Sequence, residues 1–173
     1  MEQPQLNDIS PQQLARTAQA IATVFGIGYS PFAPGTVASL VALPFAWLIT
    51  YAAGRFVLLL VAILAAALGA WACEHYIHGR ADKDPSECVI DEVAGQWIAC
   101  AFVPVPLGMF SIHTLLGYTL AFVLFRALDI SKLWPINRIE RIVPGGLGVM
   151  ADDLLAAAMA GIIIVVFAYF GLP

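Results

Sequence analysis

Phe56-Val57-Leu58-Leu59-Leu60-Val61-Ala62-Ile63-Leu64-Ala65-Ala66-Ala67-Leu68-Gly69-Ala70-Trp71-Ala72-Cys73 runs without a charge from Arg55 to Glu74. A helix of this length rises about 27 Å at about 1.5 Å per residue, close to a hydrocarbon core of about 30 Å. The rest of the chain has the same character. Of its 173 residues 61% are apolar and 12% charged, with a mean hydropathy of +0.85. Soluble domains run at about 45–50% apolar and about 25% charged. This balance excludes a disordered chain, a nucleic-acid binder and an ordinary soluble enzyme. It predicts an all-α, polytopic membrane bundle forming one domain over residues 1–173, with a polar N-terminal arm over 1–16. A net charge of −4 decides little in such a chain, because placement matters more than the sum.

No charge falls between Arg16 and Arg55, between Glu92 and Arg126, or after Asp153. These gaps predict about five short spans: Val37–Ala53, Phe56–Cys73, Val93–Val103, Met109–Phe125 and Leu154–Phe170. The third is the shortest, and Pro104-Val105-Pro106-Leu107-Gly108 after it is a turn signal. A helical hairpin over Val93–Phe125 follows, its first arm starting inside the preceding charged segment. Five crossings put Arg16, Arg80, Lys83, Arg126, Lys132, Arg138 and Arg141 on one side and Arg55 on the other. The positive-inside rule makes the first side cytoplasmic. All twelve acidic residues lie there as well, so the chemistry is expected at that face. No cleaved signal peptide is visible, which leaves insertion to the first span.

Two stretches read as interfacial helices. Ser10-Pro11 forms an N-cap followed by proline, and Leu14, Ala18, Ile21 and Phe25 make a stripe. Later, Trp134, Ile136, Ile139 and Ile142 alternate with Asn137, Arg138, Glu140 and Arg141; packing on other loops explains that pattern equally well. Cys73, Cys88 and Cys100 make neither a disulfide framework nor a zinc pattern, and Cys73 and Cys100 read as membrane-core packing. His75 and His78 read as solvated, His113 as a hydrogen-bonded core residue. Gly146-x-Gly148-x-x-Ala151 is not a dinucleotide fingerprint, since no strand precedes it.

Three polar segments on the expected cytoplasmic side carry the candidate chemistry. Gly26 to Thr36 is too rich in glycine and proline for a regular helix. With Ser30 and Thr36 it can either cradle a phosphate or simply lead into a helix cap at Thr36 or Ser39. Asp91 and Glu92 stand at the mouth of an apolar helix. The helix dipole favours such carboxylates, yet two together repel unless a cation lies between them, and hard cations such as Mg²⁺ take oxygen ligands. In the third segment Arg126, Asp129 and Lys132 share one helical face. Gly145 and Gly146 follow in a glycine-rich loop, and Asp152-Asp153 repeats the acidic pair.

In order, these segments resemble the phosphatidylglycerophosphatase A family, bacterial membrane phosphatases. The resemblance rests on Gly28 to Thr36, on Ile90-Asp91-Glu92-Val93-Ala94-Gly95-Gln96, and on Phe125 to Asp153. The last contains Asp129-Ile130-x-Lys132, Pro135-Ile136 and Gly145-Gly146-x-Gly148-Val149-Met150-x-Asp152-Asp153. Where the family has Lys-Pro-x-Pro this chain reads Lys132-Leu133-Trp134-Pro135, and the glycine usual soon after the Asp-Asp pair comes only at Gly161. The resemblance implies Mg²⁺-dependent hydrolysis of phosphatidylglycerophosphate to phosphatidylglycerol and phosphate at the cytoplasmic face of a bacterial inner membrane. Asp91, Glu92, Asp129, Asp152 and Asp153 are then the expected metal ligands and, with Lys132, the catalytic set. Ser30, Thr36, Arg126, Lys132, Arg138, Gly145 and Gly146 are the expected phosphate holders. Short spans suit lateral entry of a lipid from the bilayer, and no nucleic-acid partner is expected. The alternatives are a transferase or phosphatase for another membrane lipid, and a small transporter subunit. The transferase signature Asp-Gly-x-x-Ala-Arg is absent, and transport calls for charges within the spans, which these lack.

Overall fold

A computed structural model describes residues 10–171 except 83, 107, 109 and 110, and describes nothing of the side chains at 140 and 141. Residues 1–9 of the expected polar arm, Lys83, Leu107, the Met109 start of the fourth span, and the Glu140 and Arg141 side chains lie outside the described residues. Those residues form seven α-helices and no strand: α1 Pro11–Ala22, α2 Pro34–Ala53, α3 Arg55–Ile77, α4 Ile90–Ala101, α5 Ile112–Ser131, α6 Ile136–Ile142 and α7 Gly145–Tyr169.

Among the described residues α2, α3, α5 and α7 are long and apolar enough to cross a membrane. The third expected span is different. Helix α4 has only 12 residues, about 18 Å of rise, and starts at Ile90 within the charged segment, as the hairpin reading expects. Beyond Ala101 the chain continues without helix past Pro104 and Pro106. The Gly108 N–H then donates to the Tyr51 carbonyl (3.2 Å), near the far end of α2. The stretch from Val93 to Gly108 thus leads from the opening of α4 to the far end of α2, with Val103 buried and Pro104 and Pro106 exposed.

Ser10 caps α1 through a reciprocal capping box with Gln13, and Pro11 occupies the first turn. Helix α1 packs on α3 and buries Ala18 and Ala22. Phe25 departs from the expected stripe. It lies past the helix in a left-handed turn (φ 54°) and is exposed, because the chain reverses at Val24-Phe25-Gly26.

Helix α4 is the central post, packed against α2, α3, α5 and α7. The core around it is built from small side chains: Ala38, Ala46, Ala62, Ala94, Ala99, Ala121, Ala156, Ala157 and Ala160 are all fully buried. Without a strong hydrophobic drive between helices in lipid, such residues let backbones approach closely. Gly95 shows how closely, since a Cβ there would meet the Phe125 ring at 2.7 Å. Polar links within this core also tie the helices: Trp97 Nε1 donates to the Ala42 carbonyl (2.9 Å) and Tyr118 Oη to Thr50 Oγ1 (2.9 Å). Cys73, Cys88 and Cys100 are buried. Leucine, isoleucine, valine and phenylalanine populate the outside of the long helices, including Phe45, Leu48, Leu60, Leu64, Val123 and Ile162, the inverse of a soluble bundle.

Helix α7 begins at Gly145, nine residues before the expected span. The glycine-rich stretch is therefore its first turn and not a loop, and Asp152 and Asp153 sit two turns inside. The reason lies in packing: α7 closes against α3 where a larger residue would collide, a constraint invisible in a local reading.

Candidate active site

All five expected metal ligands line one cavity of about 330 Å³ at the end of the bundle that also holds α1 and α6. Asp91 and Glu92 come from the first turn of α4, Asp129 from the last turn of α5, Asp152 and Asp153 from α7. Asp91, Asp129, Asp152 and Asp153 are all buried. Within this group Glu92, Asp129 and Asp153 form a tighter trio, their nearest oxygens within 4.8 Å of one another. Packing like charges so closely is costly unless something positive joins them.

Part of that positive charge is Arg126. Its Nη1 pairs with Glu92 and with Asp129 Oδ2 (2.9 Å), while Nη2 donates to Thr36 Oγ1 at 3.4 Å. Ser39 Oγ adds a hydrogen bond to Glu92 at 3.3 Å. Arg126 faces the carboxylates first. Burial pushes the Asp91 carboxyl well above the usual carboxylate range, with Cys88 and Glu92 adding to the shift. It raises Glu92 too, against the lowering pull of Arg126.

Lys132 ends α5 in a left-handed conformation (φ 43°). That turn takes it off the face it would share with Arg126 and Asp129 in a continuing helix. Its Nζ lies 2.9 Å from Asp152 Oδ2 and it lines the cavity, so among the described residues Asp152 is matched to a cation while Asp153 is not. Asp153 Oδ2 is buried with no hydrogen-bond partner among the described residues.

The remaining expected residues fall in three places. Thr36 reaches the site through Arg126. Ser30 turns its hydroxyl to the Phe32 carbonyl (3.0 Å), and the cavity is lined instead by Ala33, Pro34 and Gly35, where α2 opens. A Cβ on Gly35 would overlap the Glu92 carboxylate, which explains a glycine there. Arg138 is exposed on α6 beside Trp134, Asn137 and Ile142, in a separate depression. Gly145 and Gly146 line no part of the carboxylate cavity, and the Gly146 N–H donates to Glu74 Oε2 at 2.7 Å. The reading from sequence gave no site role to Asp84 or Gly35, which line this cavity, and offered Ser39 only as a helix cap, whereas its hydroxyl bonds Glu92. Gly35 alone had a local signal, inside a Pro-Gly-Thr helix start.

The residues fit a hard divalent cation. Ligand oxygens at about 2.1 Å from Mg²⁺ lie about 3–4.2 Å apart across its octahedron, within the spread of the trio. The orphaned Asp153 oxygen is the kind of buried acceptor that a cation satisfies.

The comparisons with known proteins identify the family. The family model for phosphatidylglycerophosphatase A matches residues 20–168. A phosphatidylglycerophosphatase A from Escherichia coli is 33% identical over 163 residues, covering 92% of this chain and 90% of the relative. One from Haemophilus influenzae is 32% identical over 94% of both chains. A protein from Bacteroides thetaiotaomicron named a putative phosphatidylinositol-3-phosphatase is 37% identical, over 84% of this chain and 90% of that one. No solved structure matches the chain. With the family model covering nearly the whole helical bundle, the chain belongs to the phosphatidylglycerophosphatase A family.

Proposed function

We propose that this membrane protein hydrolyses phosphatidylglycerophosphate to phosphatidylglycerol and inorganic phosphate at the cytoplasmic face of a bacterial inner membrane, with Mg²⁺ held by Glu92, Asp129 and Asp153. Family membership supports the phosphatase activity and the lipid substrate. The observation that carries the chemistry is the convergence of three carboxylates, Arg126 and Lys132 on one cavity at the end of four long apolar helices.

Phosphate monoesters are among the most inert biological esters, so neutralisation and positioning supply most of the acceleration. Bound Mg²⁺ supplies charge neutralisation at phosphate oxygens and a more acidic water. Glu92, Asp129 and Asp153 are the residues to hold it, with Asp91 and Asp152 completing the acidic wall. Lys132, at the cavity rim, offers an ammonium to the phosphate. The opening turn of α2 also lines the cavity, and helix-start amides without intrahelical partners favour an anion. Arg126 pairs with two of the carboxylates and holds them in place. In the reaction a water oxygen bonds to phosphorus, the bond from phosphorus to the glycerol oxygen breaks, and that oxygen leaves as a hydroxyl.

The orientation rests on the charge distribution. Arg16, Arg80, Arg126, Lys132 and Arg138 all belong to the end that bears the site, while Arg55 opens α3 at the other. Apolar side chains around the helices suit a substrate whose acyl chains stay in the bilayer while its terminal phosphate reaches the cavity.

The test is phosphate release in detergent micelles, with Mg²⁺ and with chelator, for wild type and Asp153→Asn. Phosphatidylinositol 3-phosphate serves as the rival substrate, given the name of the Bacteroides relative. Magnesium-dependent release from phosphatidylglycerophosphate that Asp153→Asn abolishes is expected. Release indifferent to chelator removes the metal from the reading, and preference for the inositol lipid replaces the substrate.

A further inference from the structure

Helix α7 carries Asp152 and Asp153, yet nothing in its own sequence caps it. The residue before it is Pro144, which offers no side-chain hydrogen bond. A helix start leaves several N–H groups without partners, and here one of them is met from another helix. Glu74, in the last turn of α3, accepts from the Gly146 N–H at 2.7 Å. The glycines around it make the approach possible. Gly145 has φ +72°, a conformation that side chains disfavour, and a Cβ there would run into the Glu74 carboxylate. On Gly146 a Cβ would strike the Ala70 carbonyl and the backbone of Glu74. Gly145-Gly146 is thus the joint by which α7 docks on α3. A carboxylate at that joint is also favoured by the helix dipole.

We infer that Glu74 is a positioning residue for the phosphatase site: its carboxylate caps α7 across the joint and fixes the axial position of Asp152 and Asp153, two turns further on. Glu74 also borders a cavity of about 640 Å³ that shares Asp84, Val149 and Asp152 with the carboxylate cavity, so a shift of the joint reaches the site directly. The inference rests on the proposed reading of Asp152 and Asp153 as working residues.

The experiment compares full-length wild type, Glu74→Ala and Glu74→Gln in micelles with saturating Mg²⁺. It reads kcat and KM for phosphatidylglycerophosphate and amide hydrogen exchange over residues 145–150. Loss of the acceptor in Glu74→Ala is expected to lower kcat about tenfold, since small displacements of a reacting constellation cost steeply, with KM within about twofold. Glu74→Gln keeps an acceptor oxygen and is expected to restore kcat to within about twofold of wild type. Exchange at the start of α7 is expected to quicken in Glu74→Ala alone. Glu74→Gln as impaired as Glu74→Ala makes the charge the essential feature and overturns the capping role. Wild-type kcat, or unchanged exchange, in Glu74→Ala overturns it as well. If wild-type protein releases no phosphate, the proposed function fails, while the exchange comparison still decides whether Glu74 caps α7.

Discussion

Asp91-Glu92 and Asp152-Asp153 look alike in sequence, two acidic residues ahead of an apolar run, and the bundle treats them differently. The first pair sits in the opening turn of α4, where the helix start favours negative charge and the Asp91 carboxylate accepts from the Glu92 N–H at 2.9 Å. The second lies two turns inside α7, away from the start of its own helix. Both pairs split, because neighbours on a helix point about 100° apart. One member of each, Glu92 and Asp153, enters the trio with Asp129; the other, Asp91 or Asp152, lines the wall. An acidic pair in a membrane helix is therefore two residues with two tasks.

The sharpest way to break this comparison is to neutralise one member at a time. Asp153→Asn and Glu92→Gln are each expected to lower kcat by about 10³-fold, the scale of losing a preorganised electrostatic contact, measured as phosphate release. In Asp153→Asn the thermal midpoint in chelator is expected to hold or rise, because an amide removes an ionisable group from among neighbouring carboxylates. Arg126→Ala is expected to cost about 3–5 kcal/mol of stability, read by thermal unfolding in micelles, since it leaves Glu92 and Asp129 buried without their cation.

Asp152→Asn weakens only the pairing with Lys132 and is expected to cost about tenfold in kcat; a loss equal to that of Asp153→Asn dissolves the split within the pair. Gly35→Ala drives a methyl group into the Glu92 carboxylate, which must shift, and a loss of up to about tenfold is expected in kcat.

The smallest effect is on pH. Burial raises the Asp91 and Glu92 carboxyls, so above about pH 4 these two groups hold more protons in the folded protein than in the unfolded one. Their contribution is fully present below the unfolded value and is lost as pH rises through the raised one. In chelator the thermal midpoint is expected to fall over that rise, and Mg²⁺ to flatten the slope.

Much of this was readable in advance. The charge gaps located the long helices because a low-dielectric phase admits few charges, and Ser10-Pro11 marked α1 because capping is local chemistry. The start of α7 was hidden: Pro144-Gly145-Gly146 has the composition of a loop, and only the surface of α3 makes a helix of it. Phe25 was misplaced for a related reason, since Val24 and Phe25 adopt left-handed backbone that their side chains disfavour. The set of carboxylates was legible as residue types. Which three would meet depended on the crossing of α4, α5 and α7, and so did the commitment of Arg126 to them.

The alanine interior has a consequence for how such a chain can evolve. In a core of leucine and phenylalanine the common injury is truncation, which leaves a void. Here Ala94, Ala99, Ala156, Ala157 and Ala160 have almost nothing to lose and no room to gain. The change such sites tolerate by size is towards glycine, and any substitution that adds a heavy atom meets a packed neighbour.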